Sequence, residues 1–128
     1  MSRDIRRHRD RGQATVELAM VLPLIVLLML ALVQVVVLAR DQLLVTHAAR
    51  EAARAAAVDP DPGAPRRAAV GAGPLDPARL QVETGSRGAV GASVRVEVRY
   101  REPTSLPIVG RALGDVMLHS EATMRVER

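Results

Sequence analysis

Residues 12–39 read GQATVELAMVLPLIVLLMLALVQVVVLA, and their reading decides the fold. From position 18 to position 39 there are 22 residues without a charge, and within them Pro23 and Gln34 interrupt the aliphatic run. As a helix the run is about 33 Å long. A hydrocarbon core is about 30 Å thick, so such a helix spans it with some tilt. A helix apolar on every side is otherwise found only deep inside a large protein, and 128 residues offer no such interior. The expectation is a transmembrane helix with its span at residues 18–39.

Residues 1–12 form a basic head. Arg3, Arg6, Arg7, Arg9 and Arg11 stand against Asp4 and Asp10, which gives +3 of the formal +4. The high isoelectric point therefore belongs to the head, and the rest of the chain is near neutral. Segments retained in the cytoplasm carry the excess of Arg and Lys. On the other flank Arg40 and Asp41 cancel. The expected orientation is N-in and C-out, with residues 1–12 as a cytoplasmic leader. The rival reading is a secretory signal peptide cut near Ala39, although a signal's apolar region is shorter, about 7–15 residues.

Glu17 is the informative residue. It abuts the apolar run, in phase with the same helix, and an unpaired acid entering a bilayer costs on the order of 2–3 kcal/mol. One reading is that it marks the helix N-terminus at the interface, where an acid favours the macrodipole. The other starts from the spacing: basic residues, Gly12, four residues, Glu17, then the aliphatic run. A cut after Gly12 would create an α-ammonium on Gln13, about one turn from the carboxylate. A neighbouring subunit shifted along the helix axis could then supply its ammonium to Glu17. Opposite charges attract strongly in low dielectric, and removing one partner of such a pair is costly.

Beyond the span, residues 40–58 read RDQLLVTHAAREAARAAAV, a segment rich in the best helix former. Nothing breaks it before Asp59, Pro60, Asp61, Pro62 and Gly63. One helix is expected from about Ala14 to Val58. Leu44, Ala48, Ala52 and Ala55 or Ala56 share a face. That face packs either on the protein's own sheet or on neighbouring helices. Pro23 and Gln34 are further helix–helix packing candidates: Pro23 frees a backbone carbonyl that neighbours can satisfy, and Gln34 can hydrogen-bond across a helix pair or reach the outer headgroups. Residues 59–79 hold five prolines and three glycines and read as a linker, with a short helix over 65–70. In the last segment Val94, Val96, Val98 and Tyr100 alternate with Arg95, Glu97, Arg99 and Arg101, a strand with one buried side. A short strand at 80–84 and a long one at 116–126 flank it, and 102–115 is a loop. The fold class is α+β: a long N-terminal transmembrane helix continuing outside the membrane, then a small three-stranded antiparallel sheet at 80–128, extracytoplasmic and covered on one face by the helix.

At the residues RGQATVELAMVLPLIVLLMLALVQ and THAAREAARAAAV the sequence resembles the TadE-like family, small pseudopilins or minor pilins of Flp (tight adherence) pilus systems. Arg11, Gly12, Val16, Glu17 and Pro23 fit the family pattern in order, and Ala48, Ala49, Arg50, Ala52, Ala53 and Arg54 fit its Ala-Ala-Arg segment. The resemblance implies a class III signal cut between Gly12 and Gln13 by a prepilin peptidase. It implies a registration role for Glu17. Its implied partners are the membrane, other pilin or pseudopilin subunits and the assembly platform. It places the protein in a bacterial plasma membrane, in or at the base of a surface pilus.

Other classes find little support. With 1% aromatics and an Arg face interrupted by Glu97, the strand is no nucleic-acid platform. There is no Cys, and His8, His47 and His119 lack ligand-like spacing, so no metal, cofactor or small-molecule substrate is expected and the chain does not read as an enzyme. Such a ring-poor core is marginal by itself and leans on the helix and on partners. The alternative to a pilus role is a single-pass membrane protein with an extracytoplasmic scaffolding or sensing domain.

Overall fold

The computed structural model describes residues 4–103 and 114–127, with side chains from Gly12 onward. The element order is α1 (Asp4–Val58), α2 (Ala64–Gly71), a 3-10 turn (Pro77–Arg79), β1 (Leu80–Thr84), β2 (Ser93–Glu102) and β3 (Val116–Arg125). The chain divides into two compact units, one through Val35 and one from Val36 onward.

The first unit is helix only. The α1 helix starts at Asp4, ten residues before the expected Ala14, and passes through Gly12 unbroken. Arginine is a good helix former, and one interior glycine costs only about 1 kcal/mol, which its neighbours tolerate. Pro23 also lies inside the helix. Leu18, Met20, Leu24, Leu28 and Leu32 are all exposed. The stretch within Gly12–Val58 that is apolar and long enough to cross a membrane has no part of itself buried. An apolar surface left open in this way is what lipid or other helices cover.

The second unit is built on residues 36–58 of the same helix. Asp59 donates the last backbone hydrogen bond of the run, to Ala55 at 2.8 Å, and Pro60 cannot continue it. Residues 59–79 carry the expected short helix as α2 and place several side chains against this unit. The carboxylates of Asp59 and Asp61 accept the N–H groups of Asp61 and Gly63 at 2.9 and 3.0 Å, two successive side-chain turns that aim the chain into α2. Ala64, Pro65, Ala69 and Leu75 are buried, so the segment contributes to the core. Asp76 caps the 3-10 turn by accepting from the N–H of Ala78 at 2.9 Å.

The sheet is an antiparallel meander in the order β1-β2-β3. Its register sets Leu80, Val82 and Thr84 of β1 opposite Tyr100, Val98 and Val96 of β2. It sets Leu118, Ser120, Ala122 and Met124 of β3 opposite Tyr100, Val98, Val96 and Val94. The expected strands at 80–84, 94–100 and 116–126 thus stand within two residues of their observed ends. Of the expected loop at 102–115, positions 104–113 lie outside the described residues. Val94, Val96 and Val98 are wholly buried and Tyr100 nearly so. The helix meets them with Val45, Ala48, Ala49, Ala52, Ala53, Ala56 and Ala57. Small helix side chains let the backbone lie close to the sheet, so β-branched valines fill the seam without rings.

Candidate functional site

The face of α1 expected to pack on either the sheet or a neighbour is filled by the sheet. Ala48 and Ala52 are 0% exposed and Ala56 is 3% exposed, all within the core cluster. They are therefore covered by the protein's own sheet, one of the two readings the sequence left open for this face. Ala56 rather than Ala55 completes that face, because Ala55 is half-buried at its edge. The side of α1 turned away from the sheet carries exposed Leu43, His47, Arg50, Arg54 and Val58 at spacings of three and four.

Hydrogen bonds and ion pairs reinforce the seam. The Nε2 of Gln42 donates to the carbonyl of His119 at 3.0 Å. At the other end of this helix segment the N–H of Glu127 donates to the carbonyl of Ala57 at 3.1 Å. The Tyr100 hydroxyl accepts from the N–H of Asp76 at 3.4 Å. On the outer sheet face the register lines up Glu83, Glu97 and Glu121 across the three strands. Arg99 bonds Glu97 at 2.8 Å and Glu83 at 3.1 Å, and Arg95 bonds Glu121 at 3.1 Å. Glu97 first, and then Glu83, raise the guanidinium pKa of Arg99. Arg95 and Arg99 of this face are engaged with acids, which breaks up its positive charge.

The segment at residues 12–17 offers the functional chemistry. Gly12 lies within the helix, and a Cβ built on it meets nothing within 4 Å. Among the described residues no packing calls for glycine at this position. Glu17 is exposed on the first unit, with no basic side chain bonded to it among the described residues. Its Oε1 accepts a hydrogen bond from Nε2 of Gln13 at 3.3 Å. The sequence motif singles out Gln13 only as the residue after the cut, although the i, i+4 spacing of an amide and an acid signals this bond. Pro23 is exposed within the span and Gln34 is half-buried. No group of three or more His, Asp or Glu side chains among the described residues is arranged to hold a metal ion.

Comparison with known proteins adds one finding. The family model described as TadE-like protein matches residues 12–54, the family that the sequence motif resembles. The match opens on Gly12, takes in Gln13, Glu17, Pro23, Gln34, Ala48 and Ala52, and stops before Ala56 and the sheet. No curated protein and no solved structure matches the chain.

Proposed function

We propose that this chain, TadE-like over residues 12–54, is a membrane-anchored pseudopilin or minor pilin that takes part in assembly of a Flp-type pilus. It sits in the plasma membrane with the arginine head in the cytoplasm and the sheet outside. A prepilin peptidase cuts it between Gly12 and Gln13. Glu17 then takes the α-ammonium of an adjacent subunit and fixes the register between helices.

The observation that carries this reading is the pairing of Gly12 with Glu17. Among the described residues nothing in the packing requires glycine at 12, and a peptidase that cuts after it supplies a reason for one. A peptidase must draw the scissile carbonyl out of the helical ladder, and glycine eases that unwinding by about 0.5–1 kcal/mol relative to alanine. Glu17, at the threshold of an exposed apolar helix, is costly unless something pairs with it. The sheet already occupies the alanine face, so subunit contacts fall to the exposed span and to the outer side of α1 that bears Leu43, His47, Arg50, Arg54 and Val58. The partners are accordingly other pilin or pseudopilin subunits and the assembly platform.

A Glu17→Ala variant tests the registration role. It is expected to insert in the membrane at normal levels, with the sheet domain folded, and to impair pilus assembly. Normal piliation in that strain would refute the role.

A further inference from the structure

Processing after Gly12 leaves Gln13 as the first residue, and an N-terminal glutamine has a reaction of its own. Its α-nitrogen can attack the side-chain carbonyl carbon. The N–Cδ bond forms, the Cδ–Nε2 bond breaks, and Nε2 leaves as ammonia with the proton given up by the α-nitrogen. The product is a neutral five-membered lactam, formed without oxidant or co-substrate. A chain closed in this way has no ammonium to offer a neighbour's Glu17.

Closure requires the glutamine side chain to fold back over its own α-nitrogen. In the uncut chain, where the helix runs on through Gln13, the side chain is held the other way. Nε2 of Gln13 donates to Oε1 of Glu17 at 3.3 Å, one helical turn further along. Both side chains are exposed, and this is the bond that directs the Gln13 amide. A hydrogen bond to a carboxylate is stronger than one between neutral groups, and it strengthens where water is scarce.

We propose that Glu17 guards the new N-terminus: it binds the Gln13 amide one turn forward, slows lactam closure, and so preserves the α-ammonium. The inference rests on processing after Gly12, and it gives the carboxylate a second task within its own subunit before it meets a neighbour's amine.

The test separates this chemistry from the native peptidase. The full mature chain, starting at Gln13, is released in detergent from an N-terminal fusion by a protease that leaves no extra residue. Its intact mass is then tracked with time, beside labelling with an amine reagent. Lactam formation appears as a mass lower by one ammonia and as loss of labelling. Glu17→Ala is expected to close faster than the wild type, on the order of three- to tenfold, the range that one ordinary solvent-exposed hydrogen bond supports. Glu17→Gln keeps a weaker, neutral oxygen acceptor at the same place and is expected to close at a rate between wild type and Glu17→Ala, and Gln13→Ala, which cannot close, sets the baseline. Equal rates for wild type and Glu17→Ala overturn the proposal, as does a Glu17→Gln chain that closes as fast as Glu17→Ala. Retention of the leader in a host with a prepilin peptidase would strike the processing reading instead, and this rate comparison would stand by itself.

Discussion

Replacing Ala52 by leucine separates two accounts of the alanine face. Ala52 is 0% exposed and lies in one cluster with Val94, Val96 and Val98, themselves 0% exposed. The three added carbons have no room between helix and sheet. Either the helix lifts, loosening the neighbouring alanines, or the leucine adopts a strained rotamer; overpacking of this kind costs about 1–3 kcal/mol. Tyr100 is the single aromatic residue and is buried in the sheet, so its fluorescence reports unfolding of this unit. In detergent-solubilised full-length protein the urea midpoint is expected to fall by on the order of 1–2 M. Arg50→Leu, on the exposed side of the same helix, should stay within about 0.5 kcal/mol of wild type. If Ala52→Leu unfolds at the wild-type midpoint, the face is not packed on the protein's own sheet.

Val96→Ala, which removes two methyl groups from a fully buried position on the central strand, should cost about 2 kcal/mol in the same assay. Glu102 has a raised carboxyl pKa, chiefly from burial and then from nearby Asp41, with Arg79 opposing. The fold thus favours its protonated form, and its contribution is present in acid and is lost as pH rises through the raised folded value. Glu102→Gln, neutral throughout, should lessen the stability lost as pH rises above the ordinary carboxylate range, measured as urea midpoints across a pH series; an unchanged profile would contradict the burial of this group. Gly12→Ala has open space for its methyl group, so insertion and the Tyr100 unfolding curve should match wild type while the leader is retained in a host with a prepilin peptidase, as read by intact mass.

The sheet was legible because its signal is local. Val94, Val96, Val98 and Tyr100 alternate with charged residues, and a period of two admits one assignment of faces. The long apolar helix was equally plain, since 22 uncharged residues need no tertiary information to interpret. The alanine pattern at 48, 52 and 56 gave the face but not what covers it, because small residues suit a helix and a sheet equally. Residues 59–79 read as a spacer since proline and glycine are as frequent in linkers as at helix starts. Here the aspartates between them accept backbone N–H groups, and Ala64, Ala69 and Leu75 find the core through contacts distant in sequence. At the candidate site Gly12 and Glu17 stood out by spacing. The bond from Gln13 to Glu17 was open to the same reading through its i, i+4 spacing, but the motif drew Gln13 only as the residue after the cut.

The central claim is that Gly12 marks a cut that exposes an amine for Glu17. Intact-mass measurement of the full-length protein expressed with a prepilin peptidase tests it most directly. The predicted result is a chain that begins at Gln13, with the arginine head gone. A chain that still carries residues 1–12 in the presence of an active peptidase would contradict it.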